Sequence, residues 1–217
     1  MQTQIKRELY DVISGKNQVR YGATIQAVTS YLSESTQSGS KIENPKYFKE
    51  EEAKRLETFI SKNNLWLNDI DFTQYVSEGA EQKVYLKDSD HVLKLNDGIY
   101  YSCLRDYFIN LLVHNYFFAD TAYELIGFTY DKEILYAVVK QAYVSITNTT
   151  DLNQLKAFLT SNGFKNTRNH DYYNPELGII LEDLHDENVL TSNDVLYFIY
   201  TVFYLTDNFY KSFNNKI

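Results

Sequence analysis

An acid and an amide in the last fifth of the chain have the types and the spacing that phosphate chemistry needs. Asp183 and Asn188 lie five residues apart in the segment LEDLHDENVL, residues 181–190. The carboxylate can accept the proton of an incoming hydroxyl group, while the carboxamide can hold a Mg²⁺ ion on phosphates. One compact loop between two apolar strands would bring both side chains together. The alternative is an acidic surface loop that is simply solvated.

A second group of residues, about 90 positions earlier, has the types that bind a nucleotide. Gly79 falls in a predicted turn, Ala80 follows it, Val84 lies in the next strand, and Lys94 interrupts the apolar run 92–95. In protein kinases a glycine turn covers the phosphates, a valine covers the adenine and a strand lysine reaches the α- and β-phosphates. The alternative is an ordinary turn followed by an edge strand whose lysine points outward.

Two further places would complete a kinase nucleotide site. Asp106 is the acid within the predicted helix 101–118 that could hold Lys94, although a solvated position on the helix face explains it equally well. Gln141, Ala142 and Tyr143 follow the fifth predicted strand, where the hinge of a kinase offers backbone groups to adenine. Any connection from a strand to a helix would show the same pattern.

The spacing of apolar residues, which predicts the helices and strands that position these side chains, changes along the chain. Helical spacing covers residues 1–35 and 48–64, and a polar stretch with Gly and Pro breakers, residues 33–45, is predicted to link them. The middle of the chain then predicts three strands, a helix and two strands. The predicted strands are 72–76, 83–86, 91–95, 123–128 and 134–139, and a further helix at 151–160 begins with Asp151 as its N-cap.

Composition excludes several classes of protein. The 217 residues are 44% hydrophobic and 23% charged, as in a globular protein, and the net charge of −8 argues against sequence-independent binding of nucleic acid. Cys103 is the only cysteine, which excludes an intrachain disulfide and suits a reducing compartment. The start has no signal-like apolar segment and no stretch reaches ~18 apolar residues, so we expect a cytoplasmic protein without a membrane segment. The four histidines lack metal-binding spacing, and His114 reads as a core or capping residue.

Residues ~50–205 resemble the Ser/Thr/Tyr kinase domain found in polyvalent proteins of phages and conjugative elements. The segments that carry the resemblance are EEAKRLETFISKNNLWL, GAEQKVYL, VLKL, LLVHNYFF, ELIGF, VVKQAYV and LEDLHDENVL, in that order. The resemblance implies an α+β, bilobal protein-kinase-like fold, with an antiparallel N-lobe sheet, one N-lobe helix, a reduced C-lobe and an N-terminal helical extension. The implied boundaries are 1–45 for the extension and linker and 46–217 for the kinase-like domain, with the N-lobe at about 70–140, the hinge at about 141–143 and the C-lobe at about 144–217.

The resemblance also implies ATP and Mg²⁺ as cofactors and transfer of the γ-phosphate to a hydroxyl group, with protein Ser, Thr or Tyr as the expected acceptor. Asp183 would deprotonate the acceptor, Lys94 and the turn at Gly79 would hold ATP, and Asn188 would bind the metal. One position departs from the kinase pattern, because Tyr200 stands where a second metal-binding Asp is expected. A phenol does not bind Mg²⁺ as a carboxylate does.

Tyr200 leaves three explanations open. The protein is a pseudokinase that binds nucleotide without transferring phosphate, or a nearby acid replaces the missing one, or the change inactivates a toxin-like or mobile-element effector kinase. The candidate replacements are Asp186, Asp194 and Asp207. Beyond ATP, the partner would be an unknown protein substrate or regulatory partner. A non-catalytic alternative is an interaction protein whose N-terminal helices contact the partner.

Overall fold

A computed structural model describes residues 2–33, 45–79 and 82–214 of the chain. These residues form a mixed α+β fold with antiparallel sheets, as the sequence predicts. Most of the predicted linker at 33–45 lies outside the described residues, and so does Ala80. Within the described ranges no helix combines the length and the hydropathy that crossing a bilayer requires.

A five-stranded antiparallel sheet, in the order β1-β2-β3-β5-β4, forms one side of the molecule. The predicted strand 72–76 is partly wrong, because the carboxylate of Asp71 accepts the N–H of Thr73 at 3.0 Å and holds this stretch in a turn, so that the strand begins at Tyr75. The strands are β1 (Tyr75–Glu78), β2 (Gln82–Leu86), β3 (His91–Asn96), β4 (Glu124–Asp131) and β5 (Ile134–Ala142).

Helix α4 (Leu104–Phe117) lies behind this sheet and is buried along most of its length. It starts three residues later than predicted, where the Glu52 carboxylate accepts the N–H groups of Leu104 at 2.5 Å and Arg105 at 3.1 Å. These are N–H groups that the first turn of a helix leaves without an intrahelical partner. Three helices precede the sheet in the chain: α1 (Gln2–Ile13), α2 (Gly22–Ser33) and α3 (Pro45–Lys62).

The C-terminal half contains two smaller antiparallel sheets and two helices. The Asp151 carboxylate accepts the N–H of Asn153 at 2.8 Å, which confirms the predicted N-cap. A hairpin turns at Asn193 and Asp194, both with positive φ, as a two-residue turn requires. The elements are α5 (Leu152–Ser161), β6 (Lys165–Arg168), β7 (Asp171–Asn174), β8 (Ile179–Glu182), β9 (Val189–Ser192), β10 (Val195–Phe198), β11 (Val202–Leu205) and α6 (Asp207–Asn214).

Helix α4 joins the hydrophobic cores of the two halves. Its residues Ile109 and Val113 pack with the C-terminal strands, while Phe108 and Leu112 pack beneath the five-stranded sheet. The N-terminal helices enter the same cores, and Leu9 of α1 is fully buried. The shared helix therefore holds the sheet at a defined position over the C-terminal strands.

Candidate functional site

A cleft of about 1170 Å³ lies between the five-stranded sheet and the C-terminal strands. It collects residues that are far apart in the sequence, and Asp106 is not among them. Ala80 lies outside the described residues. The predicted residues that line the cleft are Gly79, Val84, Lys94, Gln141 and Tyr143 from the sheet side and Asp183, Asn188 and Tyr200 from the other side.

Lys94 of β3 is buried at the back of this cleft, with only 3% of its surface exposed. Its Nζ donates to the carbonyl oxygen of Ile199 at 2.7 Å and lies 5.7 Å from the centre of the Tyr123 ring. The Tyr123 hydroxyl donates to the same carbonyl at 2.8 Å. Burial lowers the pKa of Lys94 to about 7. No carboxylate among the described residues forms an ion pair with it.

The predicted pair between Lys94 and Asp106 is not formed. Asp106 lies in the first turn of α4, where its N–H donates to the Cys103 carbonyl at 3.2 Å. The part of α4 nearer to the lysine is about two turns further along and presents His114, whose pKa responds to the Lys94 charge. His114 and Lys94 share the Tyr123 ring as a neighbour, and Asp106 has no such link to the lysine among the contacts of the described residues.

His114 is fully buried and lies at the centre of a network of hydrogen bonds. The sequence suggests only that it is a core or capping residue. Its Nε2 lies 3.0 Å from the Thr121 carbonyl and its Nδ1 lies 2.7 Å from the Thr201 hydroxyl. Burial lowers its pKa to about 3, so the ring is neutral and carries one proton. Because a carbonyl only accepts, the proton is on Nε2 and Nδ1 accepts from Thr201. Thr201 follows Tyr200 directly, so this network anchors the far side of the cleft.

The loop between β8 and β9 brings Asp183 and Asn188 into direct contact. Asn188 Nδ2 donates to the Asp183 carbonyl at 2.8 Å and to its carboxylate at 2.9 Å, and it lies 3.0 Å from His185 Nε2. Asp183 has a φ of +66°, a left-handed conformation that an Asp adopts more readily than most residues. Its N–H donates to the Asp171 carboxylate at 3.2 Å. The loop is thus folded around the acid–amide pair.

Tyr200 lies beside Asn188 at the edge of the cleft. The N–H groups of Ile199 and Tyr200 donate to the Asn188 carbonyl at 3.0 Å and 3.2 Å, just after β10. None of the three acids considered as replacements lines the cleft, namely Asp186, Asp194 and Asp207. Within the ranges that the structure describes, no group of three or more His, Cys, Asp or Glu side chains is arranged to hold a metal ion.

Other acids make the floor of the cleft negative. Tyr172 pairs with Leu181, and this register sets Asp171 of β7 opposite Glu182 of β8. Both line the cleft with Asp183. Burial, followed by the charges of Asp171 and Asp183, raises the pKa of Glu182. Sequence reasoning missed Asp171, because only the pairing of β7 with β8 brings it to the loop.

The backbone groups at the end of β5 alternate in direction along the predicted hinge. The Tyr143 N–H donates to the Asp90 carbonyl at 2.8 Å, and the register of β3 with β5 has no bulge. Since hydrogen-bonded pairs alternate in an antiparallel ladder, the backbone groups of Gln141 and Tyr143 face β3. Those of Ala142 point the other way, beyond the last pair of β4 with β5, and both Ala142 and Val144 line the cleft.

A five-stranded antiparallel sheet with a helix behind it, a strand lysine and an acid–amide loop across one cleft define a kinase-like protein. Residues 49–207 match the family model described as a serine/threonine/tyrosine kinase found in polyvalent proteins, and the chain belongs to this family. The resemblance that the sequence motifs indicate is therefore confirmed. No curated protein and no solved structure matches the chain.

Proposed function

We propose that the protein binds ATP in the cleft, with Lys94 contacting the phosphates. The observation that supports this most directly is the buried side chain of Lys94, which forms no ion pair with a carboxylate of the described residues and lines the same cleft as the acid–amide loop. A buried charge is costly unless it is paired, and a triphosphate supplies the missing negative charge. The turn at Gly79, continued by Ala80, would cover the phosphates, as the family's fold implies.

The adenine would lie against the end of β5. Ala142 directs its N–H and C=O groups away from β3, and Val84 lines the cleft from β2. Within the predicted hinge 141–143, Ala142 is therefore the residue whose backbone we propose to contact the adenine. On this view the N-lobe, hinge and C-lobe keep the proposed limits of about 70–140, 141–143 and 144–217, after an extension and linker at 1–45.

The proposed reaction transfers the γ-phosphate of ATP to a hydroxyl group of a protein acceptor. Asp183 accepts the hydroxyl proton as the oxygen attacks phosphorus and ADP leaves. Asn188 uses Nδ2 to hold Asp183, so that its Oδ1 is the atom available to a metal ion. When bound, Mg²⁺ would neutralise the charge of the phosphates. Use of ATP and the single cysteine suit a cytoplasmic location.

A second candidate function is nucleotide binding without phosphate transfer. Tyr200 favours it, because this phenol stands beside Asn188 where a kinase has a carboxylate, and none of the suggested replacement acids lines the cleft. The acids that do line the cleft, such as Asp171 and Glu187, supply oxygen atoms that suit Mg²⁺ and would repel a triphosphate that carries no metal. A host-directed effector kinase in an inactive form would show the same behaviour.

Two measurements on one protein sample test the proposal. Isothermal titration calorimetry with ATP and Mg²⁺ measures binding, and transfer of ³²P from labelled ATP to the protein itself or to a generic protein acceptor measures chemistry. The Asp183→Asn variant is expected to retain ATP binding and to lose any transfer. Binding without transfer in the wild type supports the second candidate. If neither ATP nor ADP binds at millimolar concentration, the nucleotide proposal is wrong.

A further inference from the structure

We infer that the side chain of Gln141 selects a purine that carries an amino group at position 6. The inference rests on the proposed function, because it assumes that a nucleotide base lies at the end of β5. It assigns to this residue a role different from the backbone contact that the sequence suggests. The ligand class is a 6-aminopurine nucleotide, which distinguishes ATP from GTP.

The orientation of the Gln141 amide is fixed by its hydrogen bond. Nε2 donates to the Thr121 carbonyl at 2.6 Å, and a carbonyl only accepts, so the amide nitrogen must face Thr121. Oε1 therefore points away from Thr121. This oxygen is buried and has no hydrogen-bond partner among the described residues, although Gln141 lines the cleft and is only 1% exposed.

The Thr121 carbonyl cannot turn away to release the amide. It also accepts from Nε2 of His114 at 3.0 Å, while the Thr121 hydroxyl donates to the Phe198 carbonyl at 2.6 Å. Rotation of the Gln141 amide by 180° would set its oxygen against the Thr121 oxygen and lose a buried hydrogen bond. The network thus presents an acceptor, and not a donor, from the Gln141 side chain.

A buried acceptor without a partner gains free energy from any N–H donor that reaches it, and a base at the end of β5 would supply one. A 6-amino group has two hydrogens, of which one would reach the carbonyl of Ala142 and the other Oε1 of Gln141. The 6-oxo group of a guanine base would set an oxygen against both of these oxygens. The arrangement therefore favours ATP through attraction and disfavours GTP through repulsion.

The test compares the affinities of ATP, GTP and purine riboside triphosphate, which has hydrogen at position 6, for the wild type and for Gln141→Met. Methionine keeps the length of the side chain and removes the acceptor. We expect the wild type to bind ATP more tightly than purine riboside triphosphate. This ratio of affinities should be about tenfold smaller in Gln141→Met, because one hydrogen bond is lost. The exposed Gln74, which lies outside the cleft, gives the matched control Gln74→Met, which is expected to keep the full preference.

An unchanged preference in Gln141→Met would overturn the inference while leaving nucleotide binding intact. A measurement on the wild type covers the case in which the variant does not fold. N6-methyl-ATP retains one N–H, which would satisfy the Ala142 carbonyl alone, so equal affinity for ATP and N6-methyl-ATP would overturn the role of Gln141. We expect N6-methyl-ATP to bind about fivefold more weakly or worse. If none of the triphosphates binds the wild type, the proposed function fails and the inference fails with it.

Discussion

Lys94 Nζ donates a 2.7 Å hydrogen bond to the carbonyl oxygen of Ile199, the residue directly before Tyr200. This bond joins β3 of the five-stranded sheet to the segment after β10, so it ties the two sides of the cleft together. The Tyr123 hydroxyl donates to the same oxygen, which therefore keeps one partner if the lysine turns toward phosphates. The lysine can change partner without leaving a buried carbonyl unpaired.

Replacing Lys94 with Met is expected to weaken ATP binding at least about tenfold, because the charged contact with the phosphates is lost. The free energy of unfolding should stay the same or rise by about 1 kcal/mol, because a desolvated charge becomes an apolar side chain of similar size. Calorimetric titration and urea unfolding measure the two quantities. The exposed Lys87 lies outside the cleft, and Lys87→Met should change neither. Unaltered ATP affinity in Lys94→Met would show that the lysine does not contact phosphate.

The lowered pKa of Lys94 makes ATP binding depend on pH. In the free protein the Lys94 side chain is mostly a neutral amine above its pKa of about 7. Contact with bound phosphates requires the charged ammonium form. Among the described residues its contacts are the Ile199 carbonyl and the Tyr123 ring, and nearby His114 is neutral, so the proton must come from the solvent. We expect uptake of close to one proton on ATP binding at pH 8 and little uptake at pH 6. Titration in two buffers of different ionisation enthalpy measures the uptake, and equal heats at pH 8 would contradict it.

The buried His114 is expected to contribute to destabilisation in acid. Its pKa is about 3 in the folded protein against an ordinary value of 6.5, so the unfolded chain binds the additional proton between these values. The contribution to stability is therefore complete above pH 6.5 and is lost as the pH falls toward 3. Linkage gives a loss of about 3 kcal/mol at pH 4 as an upper limit.

The variant His114→Gln isolates this effect, because an amide can still donate to Thr121 and accept from Thr201 but does not titrate in this range. Its stability between pH 7 and pH 4 should decline less steeply than that of the wild type in denaturant unfolding. Partly exposed His91, which contacts Asp88 at the surface, supplies the control His91→Gln, which should keep the slope of the wild type. Parallel curves for the wild type and His114→Gln would contradict the prediction.

The resemblance to kinases leads us to expect an Asp at the position of Tyr200, so we predict that introducing this acid strengthens metal-dependent chemistry. Tyr200→Asp would place a carboxylate beside Asn188, so we expect tighter ATP binding in Mg²⁺ and at least about tenfold faster phosphate transfer. The uncharged analogue Tyr200→Asn separates charge from loss of the ring. The gain should disappear when Asp183→Asn is added. No gain over Tyr200→Asn would mean that the side chain at this position does not face the metal.

Gly178 is expected to tolerate no side chain. Its φ is +71°, and an added Cβ would lie 2.5 Å from the backbone nitrogen of Phe209 at the start of α6. Gly178→Ala should therefore lower the free energy of unfolding by about 3 kcal/mol, through backbone strain together with displacement of α6. Gly15 has a similar φ of +73° with nothing near its Cβ position, so Gly15→Ala should cost only about 1 kcal/mol. Equal losses in thermal or urea unfolding would show that α6 moves freely.

Local patterns determined the order of the elements and the nature of the loop that carries Asp183 and Asn188. Alternation and turn residues placed Lys94 on the third strand of the sheet, and the side chain of Asp151 was sufficient to start α5. These features depend on neighbours within a few residues, and the sequence contains that information directly. The order of the motifs was also enough to indicate the family.

Only the tertiary structure decided which groups meet inside the cleft. The position of α4 relative to β3 brought His114, and not Asp106, to the Tyr123 ring that Lys94 also contacts, and no spacing within a helix determines this. The register of β3 with β5 turned the backbone of Ala142 toward the cleft, and the register of β7 with β8 brought Asp171 to the loop. Register depends on pairing between distant segments, and a shift by one residue reverses the side to which every group points.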